Sequence, residues 1–176
     1  MSETIFLSTL PEEIVDGLRR PKVGRRLKWD LRFLEMAAMV ASWSKDPSTK
    51  CGAVVVRPDL TIASVGFNGF PRGCLDDAEM YEQRDLKLDR VIHAEVNAIL
   101  SAKEPLTGYT MFSNPPCVHC TTCIIQAGIS RVVYYGVDDF ANGRWTESIE
   151  RGRDLFDEAM VDVTTIVRHG DEKAPF

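Results

Sequence analysis

Two short segments, His93-Ala94-Glu95 and Pro116-Cys117-Val118-His119-Cys120, constrain this chain more than any other feature. The chemistry they carry works only in a fold that brings two helix starts face to face. A Cys-x-x-Cys pair one helical turn apart presents both thiols on one side, and tetrahedral zinc takes thiolate sulfur and imidazole nitrogen. Cys117, Cys120 and His93 make three such ligands. A structural zinc site closes its shell with four protein ligands, whereas a catalytic one keeps three and leaves the fourth position to water. Glu95, two residues from the histidine, is not needed as a ligand and is placed to move protons. The pattern predicts a catalytic zinc centre with Glu95 as its general acid and base.

Local sequence agrees with that arrangement. Asn114-Pro115-Pro116 sets up an extended entry, and proline suits the first helical positions because a donor there is unsatisfied anyway. The positive end of the helix dipole favours Cys117 and Cys120 as thiolates. Cys123 offers a rival pair with Cys120. A rise of about 1.5 Å per residue puts it roughly 9 Å along the axis from Cys117, beyond the span of one ion with bonds of about 2.3 Å. Cys123 is therefore expected as a small buried residue of the helix, and His119 as a surface or outer-shell histidine.

A chain of 176 residues with a net charge of −5 fits one domain of ordinary soluble composition. No apolar run reaches the length of a membrane span, and the first residues lack the basic start of a signal peptide. The expected compartment is the cytoplasm, or that of a host cell. Five cysteines, three of them crowded between 117 and 123, read as metal spacing and not as a disulfide framework. The acidic balance argues against a nucleic-acid partner. One segment runs the other way: Arg19, Arg20, Lys22, Arg25, Arg26 and Lys28 read as a solvated arm, or as a contact to an acidic subunit or a phosphate-bearing ligand.

Residues 1–27, broken by Pro11, Gly17, Pro21 and Gly24, read as an N-terminal extension, and 28–176 as the zinc-dependent domain. Leu31, Leu34, Ala37, Ala38 and Ala41 give Trp29 to Trp43 the spacing of one buried helical face. Gly52–Arg57 and Thr61–Phe67 read as a hairpin around Pro58-Asp59, and 68–74 as a loop. Residues 76–89 are charged, either helical or a surface insertion. Helices at 94–103, 117–127 and 146–159 then alternate with strands at 109–113, 131–135 and 161–167. Hairpin followed by strand-helix alternation predicts an α/β sandwich with helices on both faces of a mixed sheet.

The chain resembles the cytidine and deoxycytidylate deaminase superfamily, and within it the deoxycytidylate deaminases. The resemblance rests on the two zinc segments with Val96 to Leu100, on residues 44–53 (Ser-Lys-Asp-Pro-Ser-Thr-Lys-Cys-Gly-Ala) and on 66–74 (Gly-Phe-Asn-Gly-Phe-Pro-Arg-Gly-Cys). It implies a three-layer α/β/α fold with a central mixed sheet, one catalytic zinc per chain, and hydrolysis of dCMP to dUMP and ammonia, which feeds thymidylate synthesis. It implies a homohexamer activated by dCTP and inhibited by dTTP, with magnesium accompanying the effector triphosphate. Carried over by residue, Asn68 bonds the deoxyribose, and Lys45 with Thr49 lies near the phosphate. Backbone around Ala94 and from Ser113 through Asn114 to Pro115 reads the cytosine edge. Gly66, Asn68, Gly69 and Arg72 hold the effector.

Glu104 departs from this pattern, since some family members carry a basic residue about nine positions after the catalytic glutamate. Relatives with a second zinc use additional Cys and His residues, whereas 76–92 holds none here. Three other readings share these motifs. An enzyme editing single-stranded nucleic acid would need a basic groove that this acidic chain lacks. A deaminase of free nucleosides or pterins would leave Lys45 and the Asn68 loop without a task. A non-enzymatic zinc module would need a fourth ligand and would leave Glu95 idle.

Overall fold

A computed structural model describes residues 3–6, 23–136 and 145–167 of the chain. A six-stranded sheet forms its middle layer. In chain order its strands are β1 (Glu3–Phe6), β2 (Gly52–Val56), β3 (Ile62–Phe67), β4 (Thr110–Ser113), β5 (Arg131–Tyr135) and β6 (Asp162–Val167). Their spatial order is β1-β6-β5-β4-β2-β3. The first four neighbours in that order run parallel, and β2 lies antiparallel to both β4 and β3, so the sheet is mixed.

Helix α1 (Val23–Ala41) covers one face of the sheet. Leu27, Phe33, Leu34, Ala37 and Val40 pack there against Val54, Val56, Phe112, Val133 and Ile166. The other face carries α4 (Ala94–Ser101), α5 (Val118–Gln126) and α6 (Thr146–Glu158). Ala94, Ala98, Ile124 and Phe156 meet Ala53, Val55, Met111, Val132 and Val163 on that side. Because both faces are covered, β2 and β5 are buried at every position, which is why Gly-Ala-Val-Val-Val and Arg-Val-Val-Tyr-Tyr read as continuous runs without alternation. Two shorter helices, α2 (Ala78–Glu82) and α3 (Arg84–Arg90), occupy the charged stretch before His93.

The hairpin is clamped at two glycines. A Cβ on Gly52 would lie 2.0 Å from the Ala37 carbonyl oxygen, and one on Gly66 would lie 2.3 Å from the Ala98 nitrogen. Glycine at these points lets α1 and α4 approach the strands from opposite sides. At the hairpin tip Asp59 accepts the Thr61 amide at 3.0 Å and its hydroxyl at 2.6 Å, a side-chain-stabilised turn.

The three-layer architecture and the hairpin match the sequence reading, with differences at the edges. Helix α1 starts at Val23, not near Trp29, and buries Leu27, Phe33 and Val40 while Leu31 and Ala38 remain half-buried. Within the segment read as an extension, residues 3–6 add β1 to the sheet beside β6. Arg26 pairs within the chain, its guanidinium donating to Asp162 at 2.7 Å. Arg19, Arg20, Lys22 and His169 lie outside the described residues. Cys123 corrects the expectation of burial: it is exposed, because Thr121 and Ile124 point inward from α5 and leave 123 on the outer side. Among the described residues no helix is long and apolar enough to cross a membrane.

Candidate active site

The site forms where two helices begin. Strand β4 ends at Ser113, Asn114 to Pro116 carry the chain outward, and Cys117 is the N-cap of α5. His93 is the N-cap of α4. Three anchors fix these starts. Asn114 Oδ1 accepts the Gly52 amide at 3.1 Å, Asn97 Nδ2 donates to the Phe67 carbonyl at 2.8 Å, and the Ser148 hydroxyl accepts the Val118 amide at 3.1 Å. The motif-bearing turns are thus tied to β2, β3 and α6.

The ligand atoms of His93, Cys117 and Cys120 lie within 4.8 Å of one another, the one such group among the described residues. His93 Nδ1 is 3.5 Å from Cys117 Sγ and 3.2 Å from Cys120 Sγ, so both sulfurs crowd one nitrogen. The Cys120 thiol also donates to Glu95 Oε2 at 3.5 Å. Shared hydrogen bonds split the two cysteines. The contact from Cys120, with help from His93, pulls Cys117 down to about 4, and the same contact together with burial drives Cys120 far up. His93 is raised, chiefly by Cys117. Two buried sulfurs and an imidazole, bonded among the described residues to one another and to Glu95, form the soft, three-donor set that zinc accepts.

Glu95 is buried at 4% exposure. Burial pushes its carboxyl up to about 7, against the opposing pull of His93. A buried carboxyl that titrates near neutrality can accept and return a proton, the requirement for acid and base work. His119 stands exposed on the next face of α5, as expected.

A cavity of about 530 Å³ opens onto this cluster, within the size of small-molecule sites. His93, Glu95 and Cys117 meet Thr49, Asn68, Asn114 and Pro115 on its wall. Ala94 and Ser113 are buried behind it, and the Ser113 hydroxyl donates to the Asn114 carbonyl at 2.7 Å. Asn68 braces the 46–51 turn. Its Oδ1 accepts the Cys51 amide at 2.8 Å, and its Nδ2 donates to the Thr49 carbonyl at 2.9 Å. Asn114 Nδ2 is buried with no acceptor among the described residues.

Lys45 stands apart from the cavity. It pairs with Asp76 at 2.7 Å, and Asp76 also accepts the Tyr81 hydroxyl at 2.7 Å. In its place the structure brings Lys87 and Arg84 of α3 to the wall, together with Trp145 at the N-cap of α6. The Trp145 ring meets the His93 ring edge-on at 6.1 Å between centroids. Periodicity gave no signal for these three: α3 is a short charged helix, and Trp145 stands alone in its stretch.

The residues read as an effector cradle lie at the hairpin end. Gly66 is filled by the approach of α4, Gly69 bridges Ile92 across the loop, and Arg72 donates to the Ser101 hydroxyl at 3.0 Å. Glu104 forms an ion pair with Arg57 at 2.5 Å.

Residues 27–136 match the family described as the cytidine and deoxycytidylate deaminase zinc-binding region. A deaminase from the luxG 3′ region of Aliivibrio fischeri is 46% identical over 139 residues, covering 78% of this chain and 92% of the relative. The human deoxycytidylate deaminase is 36% identical over 115 residues, which span 61% of this chain and 65% of that enzyme. The dCMP deaminase of cyanophage S-TIM5, crystallised with dCMP and dUMP, superposes with a TM-score of 0.62 at 25% identity, covering 83% of this chain and 99% of the phage chain.

Proposed function

We propose that this chain, which belongs to the cytidine and deoxycytidylate deaminase family, hydrolyses dCMP to dUMP and ammonia. The observation that carries the reading is a buried, unligated carboxylate, Glu95, beside three converging zinc donors at the floor of a nucleotide-sized cavity. His93, Cys117 and Cys120 would hold the ion. The chemistry it supplies when bound is Lewis-acid activation of water near neutral pH.

The chain's own residues do the rest. Glu95 takes a proton from the attacking water and passes it to N3 of the cytosine ring and then to the departing amine at C4. Water enters at C4 and ammonia leaves, so the balance is dCMP plus water to dUMP plus ammonia. Asn114, its oxygen held by the Gly52 amide, keeps its Nδ2 beside the cavity wall as a donor. Asn68 and Thr49 face the same cavity and suit the sugar and phosphate end. Trp145 limits the tilt of the His93 ring.

Family resemblance extends the reading to a cytoplasmic hexamer regulated by dCTP and dTTP with magnesium. Asn68, one of the residues the family resemblance gives to the effector, also faces the cavity, which supports a link between the two sites. Turnover of dCMP by zinc-loaded protein, followed by ultraviolet absorbance and by ammonia release, tests the proposal. Conversion to dUMP is expected; intact dCMP after incubation with protein of confirmed zinc content would refute it.

A further inference from the structure

We infer that a second binding site lies at the opposite end of the sheet from His93, Cys117 and Cys120, and that it takes a small aromatic carboxylate, held by Arg25 beside an apolar wall. It goes beyond the deamination reading and does not rest on it.

The site is a cleft of about 690 Å³ against α1, within the size of small-molecule sites. Thr110 opens β4, Arg131 opens β5 and Val56 ends β2, and all three line it. The zinc donor Cys117 follows Ser113, at the other end of β4, and the two cavities share no lining residue. Trp29, Phe33, Val56 and Phe112 supply the apolar wall. The Phe33 ring centre lies 5.7 Å from that of Trp29 and 5.0 Å from that of Phe112, a continuous aromatic surface. A flat ring packs favourably against such a surface.

Charge decides which ring compound fits. Four arginines line the cleft, and Asp30 is the one acid among its described lining residues. Arg131 takes both Asp30 oxygens, at 2.7 and 2.8 Å. Asp162 stands between two guanidiniums, 2.7 Å from Arg26 and 3.6 Å from Arg131 Nε, so one carboxylate serves both. Arg57 pairs with Glu104. Arg25 makes no hydrogen bond or ion pair with any described residue, and it stands in the first turn of α1, which holds no acid. The dipole of a helix favours negative charge at that end. A guanidinium meets a carboxylate through two parallel N–H donors. One unspent cation matches one negative charge, whereas a phosphate monoester brings close to two. Arg25 and Arg26 thus give the basic segment of the sequence a place on a binding cleft.

Calorimetric titration of the zinc-loaded protein with naphthoate, and with naphthamide as its uncharged counterpart, tests the site. Naphthoate should bind saturably and at least about 10-fold more tightly than naphthamide, the range of a charge-assisted hydrogen bond. Arg25→Ala should weaken naphthoate about 3- to 10-fold, while Arg151→Ala, which alters an exposed arginine of α6, should match the wild type. Leu60 lines the cleft, is 44% exposed and has a φ of 70°, a conformation that Asp and Asn adopt more readily than Leu. Leu60→Asp should therefore fold and repel naphthoate, and Leu60→Asn should not repel it. Saturating dCMP should leave naphthoate binding unchanged. Absence of binding to the wild type, equal affinity for naphthamide, or displacement by dCMP would each overturn the inference. So would affinity that survives both Arg25→Ala and Leu60→Asp.

Discussion

Two buried polar clusters lie on opposite faces of the sheet, and they are satisfied in opposite ways. On the α1 side Arg131 holds Asp30 in a two-pronged pair at 2.7 and 2.8 Å and adds Thr164 at 2.9 Å. Both Asp30 oxygens and the Thr164 hydroxyl are met by the terminal nitrogens of the guanidinium, and only Nε, 3.6 Å from Asp162 Oδ2, is left without a hydrogen bond among the described residues. On the α4 and α5 side His93, Glu95, Cys117 and Cys120 have mostly one another, with two sulfurs competing for a single nitrogen. Buried polar groups without enough partners cost free energy unless something else completes them. A cluster whose opposite charges pair in a two-pronged geometry therefore belongs to the architecture, while one whose donors converge without a counter-charge of their own marks where a ligand and a reaction enter.

The comparison breaks most sharply at Glu95. Replacing it by Gln should keep the zinc content and the fold while lowering kcat for dCMP by about 10³-fold or more, within the range of lost acid-base catalysis. Metal analysis and turnover on the same preparation check this, and a variant retaining most of its activity would remove Glu95 from the mechanism.

Asp30→Ala is the mirror experiment. It strands a buried guanidinium, so denaturant unfolding should show a loss of about 3 to 5 kcal/mol, whereas zinc content and KM for dCMP in the folded fraction should stay as in the wild type. A large change in KM with little loss of stability would mean that the two clusters are not separate in role.

The smallest effect sharpens a third, intermediate case. Burial pushes the Asp46 carboxyl upward, but hydrogen bonds from Lys87, Ser48 and Thr49 outweigh it and hold it below the ordinary carboxylate value. A depressed folded value stabilises the protein above the unfolded value, near 3.9, and that contribution is lost as pH falls through the folded one. The stability gap between the wild type and Asp46→Asn should be about 1 to 2 kcal/mol at neutral pH and should close below about pH 4. A gap that grew on acidification would reverse the sign assigned here.

The convergence of His93, Cys117 and Cys120 beside Glu95 was legible because such spacing is a chemical requirement: one helical turn between Cys117 and Cys120, and a single residue between His93 and Glu95. The strands and most helices were legible for the same kind of reason, since β2 and β5 need apolar residues on both faces. What escaped is set by contacts far along the chain. Lys45 and Lys87 are equivalent as residue types, and only the fold sends the first to Asp76 and the second to Asp46. Cys123 follows the same Cys-x-x-Cys spacing from Cys120, yet α5 turns it outward. Gly66 reads as loop freedom for an anion, and the packing of α4 uses it for close approach. Strand β1 is too short for its alternation to carry a signal; its partner lies at the other end of the chain.

His93 and Cys117 are 24 positions apart, and Cys120 is 27 from His93. An ion that joins them closes a covalent-like loop through β4, so it restricts the unfolded chain much as a disulfide of that span would, an effect of about 3 to 4 kcal/mol in the chain-entropy picture. Removing the metal would then be a topological change as well as a chemical one. The starts of α4 and α5 would keep their packing but lose the link between them, and an inactive metal-free protein should also unfold at a lower denaturant concentration than inactive Glu95→Gln that keeps its ion.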